Sequence, residues 1–231
     1  MRRVWGTAAS VVLCALVTAC DVASGGGGSR DDLGLKAAPQ ASASAGAGAG
    51  GLGEAALGGG DVKGFSVAVA AAGDAVGQRD VRVTESACAP VAYVLWGTVV
   101  GKPASTVVRE ASGEGAAVTV VLAEYEGERA QRAMDDLSGA VAECSDGFTV
   151  TVDGDELKVG KVVPEIAPEG GDQAMGLGAV VESDGVKTPV KAVVFRKGAT
   201  VGYISAAPKG KTDKDFAVPT AVVDAQLVKL G

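Results

Sequence analysis

The sequence predicts an α+β domain: a mostly antiparallel, curved sheet with about three helices packed on it, preceded by an export signal and a disordered linker. Three observations lead there. From residue 61 onward, runs rich in Val, Thr and Phe alternate with Gly-containing turns too short for parallel crossovers. Stretches with helical start and stop signals or a 3.6-residue period interrupt those runs irregularly. Ahead of them, residues 21–60 hold 13 glycines and 10 alanines, a composition that buries too little apolar surface to offset the entropy of ordering it. The expected organisation is therefore a signal over 1–19, an anchor residue and linker over 20–60, and one domain, expected to be monomeric, over 61–231.

Met1-Arg2-Arg3 is a short positive start, and Val4 to Ala19 is an uncharged run ending in small residues, the build of a secretory signal. Its 16 residues rise about 24 Å as a helix, short of a hydrocarbon core about 30 Å thick. Val17-Thr18-Ala19-Cys20 resembles the lipobox of bacterial lipoproteins, with Val17 where that box usually has Leu. The resemblance implies that Cys20 carries a diacylglyceryl group after cleavage and holds the chain on the outer face of the cell membrane. Each buried methylene contributes about 0.8 kcal/mol, so two or three chains suffice for stable anchoring. The alternatives are an ordinary cleavage site after Ala19 and, from Arg2-Arg3, twin-arginine export. The linker that follows reaches about 35 Å as flexible coil. Arg30 to Lys36 interrupts its glycines, either as a polar break or as a small docking motif.

Within 61–231, Asp61 to Ala70 and Asp80 to Thr84 read as strands. Pro90 to Gly97 reads as a helix, proline at its first position and glycine at its stop. On it, Tyr93 and Trp96 lie three apart and either pack in the core or floor a ligand pocket. Ser105 to Ala111 and Ala116 to Tyr125 form a hairpin around Ser112-Gly113-Glu114-Gly115. Glu128 to Glu143 is the clearest helix: Ala130, Ala133, Met134, Leu137, Ala140 and Val141 step by three and four. Strands follow at 148–152, 157–163, 175–182, 190–196 and 201–205, and Pro219 opens a last helix to about Leu230.

Four cysteines occur. Cys14 leaves with the signal and Cys20 takes lipid, so Cys88 and Cys144 remain, and an oxidising compartment joins a lone pair. Bridging a loop of roughly 57 residues corresponds to about 4 kcal/mol in the chain-entropy model. A metal site or a redox pair fits two distant thiols less well.

Composition narrows the function. The chain has no histidine, which excludes Ser-His-Asp and Cys-His catalysis and histidine metal sites. Residues 1–19 hold two arginines and no acids, so the mature chain carries 19 basic against 28 acidic side chains, a net charge of −9. That argues against nucleic acid as a partner. The abundance of Ala, Gly and Val resembles an actinobacterial composition.

Cys88 followed by Pro90 and a short helix, the strand-helix series ending in Cys144-Ser-Asp-Gly-Phe148, and Phe195-Arg196-Lys197-Gly198 before a final helix together resemble actinobacterial surface lipoproteins related to the extracellular sensor domains of PknH-type kinases. The resemblance spans about 61–231. It implies an extracytoplasmic α+β domain with a cleft for a ligand and transfers no binding residue. Those sensor domains carry two disulfides where this domain can form one.

Other candidates are bland beside that. Asp153-Gly154-Asp155-Glu156 could be a calcium loop or hold catalytic acids, but between two strands it reads as a hairpin turn. Gly176-Leu-Gly178 lacks the third glycine of a nucleotide loop and reads as a close-packed strand or bulge. Ser138 has no elbow motif or base around it. Lys209, Lys211 and Lys214, interleaved with Asp213 and Asp215, either meet an anionic polymer or, the plainer reading, form a solvated loop. The expectation is a non-enzymatic, cofactor-free surface lipoprotein presenting a sensor-like binding domain. The alternatives are an adaptor that docks an envelope or membrane protein without a small ligand and, third, a carboxylate hydrolase.

Overall fold

The computed structural model describes residues 48–71, 73–210 and 216–231. The signal, Cys20 and the linker up to residue 47 lie outside the described residues, as do Lys211 and Lys214. In chain order the elements are α1 (Gly48–Ala55), β1 (Phe65–Val69), β2 (Val81–Val83), α2 (Ala89–Leu95), β3 (Ser105–Gly113), β4 (Ala116–Glu124), α3 (Arg129–Glu143), β5 (Phe148–Val152), β6 (Asp155–Val159), β7 (Val163–Glu165), β8 (Gln173–Ser183), β9 (Val186–Lys197), β10 (Thr200–Pro208) and α4 (Thr220–Lys229). The strands form one ten-stranded sheet in the order β1-β3-β4-β10-β9-β8-β6-β5-β2, with β7 beside β8. Every pairing in it is antiparallel. The predicted α+β class is the observed one.

Successive strand residues face opposite sides of a sheet, and the central strands β4, β10 and β9 are apolar on both. Val121, Ala123, Val201, Tyr203, Ala192 and Val194 join one core with α2 and α3. Val118, Val120, Ile204, Ala206, Val193 and Phe195 join a second core with Leu57, Val222 and Val223. Helices therefore cover both faces, α2 and α3 on one, α4 and the end of α1 on the other. The six apolar positions that mark α3 in the sequence are all buried. Among the described residues no helix is long and apolar enough to cross a membrane.

The turns follow from their residues. Glu114-Gly115, Asp153-Gly154 and Asp184-Gly185 each place both residues at positive φ, 48° and 77°, 52° and 98°, and 51° and 76°. Two successive positive φ angles make the type I′ connection, whose twist matches that of paired strands. Asp153 to Glu156 is thus the turn and start of the β5–β6 hairpin. Cys88 and Cys144 are bonded, Cα atoms 5.7 Å apart, tying the start of α2 to the end of α3.

Two expectations need correction. The folded unit begins before residue 61, because residues 48–55 form a fourth helix where linker was expected. Leu52, Ala56 and Leu57 are buried against the sheet, so packing overrides the poor helix propensity of the glycines. The single strand expected over 157–163 is two, β6 and β7. Val159 faces Val181 and Val163 faces Gly178. Three residues thus oppose two, a bulge in which Val162 N–H turns away to the Ser145 carbonyl at 3.2 Å.

Candidate binding groove

The sheet carries an open concavity on each face. On the α2 side a space of about 320 Å³ is lined by Trp96, Leu95, Leu157, Val181 and Val190, with hydroxyls from Thr119, Thr188 and Ser205. The Ser205 hydroxyl is already used, donating to the Leu95 carbonyl at 2.7 Å and so satisfying an end of α2. Gly97 stops α2 at φ 66°, and a Cβ there would sit 2.8 Å from Thr119 Cγ2. Both aromatic candidates pack half-buried against the core, and of the two Trp96 also lines this space.

The larger concavity, about 430 Å³, lies on the opposite face between the segment 165–169, β9 and the first turns of α4. Its walls include Ile166, Pro168, Val193, Val218 and Val223, and its polar groups are Lys191, Glu165, Glu169, Asp224 and Thr220. A few polar groups within an apolar cleft of this size is the ordinary make-up of a small-ligand site. Lys191 Nζ and Glu165 Oε1 are 2.9 Å apart, and the lysine side chain is only 12% exposed. Burying two charges costs solvation that their attraction only partly returns, so the pair is weak as a source of stability. It does fix a strong local dipole in the groove.

The glycines of the Gly176-Leu-Gly178 stretch explain how the pair is seated. A Cβ at Gly178 would lie 2.9 Å from Glu165 Oε1 and 3.2 Å from Lys191 Cγ, and one at Gly176 2.6 Å from the Ile166 carbonyl. Only bare backbone lets β7 and the following segment cross this close over β8. The far end of that segment is pinned too: Asp172 N–H donates to the Arg196 carbonyl at 2.7 Å and Arg196 Nη1 reaches Asp172 Oδ2 at 3.0 Å.

Behind the groove the α4 side is closed by a clasp on residues 53–61. Gln226, fully buried, donates to the Ala55 carbonyl at 2.7 Å and accepts from Leu57 N–H at 3.1 Å. Arg109 donates to the Leu57 carbonyl at 2.9 Å. Asp61 accepts from Lys229 and from Gly58 N–H, both at 2.7 Å. The Lys229 ammonium, with the Gly58 amide, holds the Asp61 carboxyl below the usual carboxylate range. On the other face, Tyr125 donates to the Val100 carbonyl at 2.6 Å and meets the Tyr203 hydroxyl at 2.7 Å. Burial raises both phenols, Tyr203 to about 12.

Lys191 and Glu165 carried no signal in the sequence beyond one charge inside the apolar run Val190 to Phe195. Ser138 and Lys209 are exposed.

No protein-family model matches the chain, and none of the curated proteins matches it significantly. Among solved structures, the extracellular domain of PknH from Mycobacterium tuberculosis is similar at 11% identity and a TM-score of 0.44, over 72% of this chain and 79% of that one. An uncharacterized protein from Mycobacterium smegmatis is similar at 16% identity and a TM-score of 0.38, over 73% of this chain and 86% of that one. At these TM-scores neither likeness assigns this chain a ligand, a partner or a site residue.

Proposed function

We propose that this chain is a lipid-anchored surface protein that presents a non-enzymatic binding domain outside the cytoplasmic membrane, with the α4 groove as its ligand site. The observation that carries the binding reading is that groove, apolar-walled and holding the largely buried Lys191–Glu165 pair. Anchoring rests on Val17-Thr18-Ala19-Cys20, and the Cys88–Cys144 bond suits an oxidising compartment. The absence of histidine and the acidic balance leave hydrolytic triads and nucleic acid without support.

A thermal-shift screen of the full chain against envelope glycans, lipids and metabolites tests the reading. A stabilising ligand whose effect disappears in Lys191→Met supports it, and uniformly null shifts count against it. Mass spectrometry of the mature N-terminus tests the anchor, which an unmodified Cys20 would refute. The adaptor reading keeps one observation of its own: Ile166, 93% exposed at the groove rim, offers an apolar contact to a protein partner. Null shifts in the screen, with a partner captured through Ile166, would favour it.

A further inference from the structure

We propose that the segment 48–61 and the α4 groove are two ends of one device, in which undocking of α1 loosens the groove; this rests on the groove being the ligand site. The two share a single ten-residue helix. Val223 and Asp224 of α4 line the groove, while Gln226 and Lys229 of the same helix hold the clasp. Gln226 follows Val223 by three residues, about 4.5 Å of helix rise, less than one turn. Val222 and Val223 also share a core with Leu57 and Val62, so the seat of α4 on the sheet depends on the same segment.

The outer wall responds as well. A Cβ at Gly170 would lie 3.4 Å from Leu227 Cδ1, which places the end of the 165–170 segment directly on α4. Movement of α4 therefore reaches the wall that faces it across the groove.

The undocked state follows from composition. Eight residues, four of them glycine, cannot hold a helix in water, so α1 is helical while docked and loses its structure when released. Linkage makes the coupling reciprocal: a ligand that tightens the groove also tightens the docking of α1.

Hydrogen exchange read by mass spectrometry on the full chain tests this without any ligand. In Gln226→Ala, amides of 48–62 should exchange about tenfold faster, and those of 165–171 and 219–224 should accelerate with them, while β3 and β4 stay protected. Acceleration confined to 48–62 overturns the coupling and leaves the groove reading intact; a null ligand screen would do the converse. If Gln226→Ala exchanges throughout, Asp61→Asn, which loses only the partly exposed part of the clasp, decides by the same two regions.

Discussion

The carboxamide of Gln226 closes on Leu57 across 169 residues of sequence, accepting its N–H at 3.1 Å from a fully buried position. A buried amide left without partners costs about 1 to 3 kcal/mol, so this contact commits the C-terminal helix to the presence of residues 55–57. The boundary of the domain follows from it.

A chain that starts at Asp61 should be markedly less stable than one that starts at Ala43. It loses the burial of Leu52 and Leu57, worth about 3 to 6 kcal/mol together, and leaves Gln226 unpartnered. Urea unfolding of the two chains measures the difference, and equal midpoints would show that α1 contributes nothing.

Acid should loosen the clasp. The Asp61 carboxyl is held below its unfolded value, so its contribution is present above about pH 3.9 and fades as pH falls through the folded value. Melting curves between pH 5 and pH 2.5 should show a component that Asp61→Asn removes. An identical pH profile in the variant would contradict the assignment.

The tyrosine pair predicts an asymmetry between two conservative changes. Tyr125→Phe removes both the Tyr125–Val100 bond and the contact with the Tyr203 hydroxyl, whereas Tyr203→Phe removes the second alone and leaves the Tyr125–Val100 bond in place. The first should cost about 1 to 3 kcal/mol and the second less. Because burial raises both phenols, their stabilisation is complete below pH 10 and is lost as pH rises through the folded values. Absorbance at 295 nm should therefore gain two tyrosinates only as the fold is lost.

Reduction of Cys88–Cys144 should lower stability by about 4 kcal/mol, the chain-entropy value for its loop. Calorimetry with and without reductant measures it. An unchanged melting temperature would mean that packing of α2 on α3 alone holds that end together.

What was legible in the sequence is what depends on neighbours along the chain. The stripe Ala130 to Val141, the Asp-Gly turns and the Pro90 and Gly97 limits of α2 all state their structure within a few residues. The cysteine pair was legible by compartment and count. What was hidden depends on partners far away: α1 is a helix only because Leu52 and Leu57 find the sheet, and Lys191 matters only because β7 brings Glu165 over Gly178. Tyr93 and Trp96, three apart, pack against the same core as their spacing implies, and only Trp96, at the C-cap of α2, also borders the α2-side space. The groove itself is assembled from the 165–169 segment, β9 and α4, none of which carries a ligand motif of its own.

Whether the α4 groove is the ligand site is read most directly by protein-observed NMR of the full chain with a fragment library of neutral, anionic and cationic ring compounds. With the α4 groove as the ligand site, amide shifts of the binding fragments cluster at 165–169, 191–193 and 217–224. Shifts clustering around Trp96, Thr119 and Ser205, or no binding fragment at all, would contradict it.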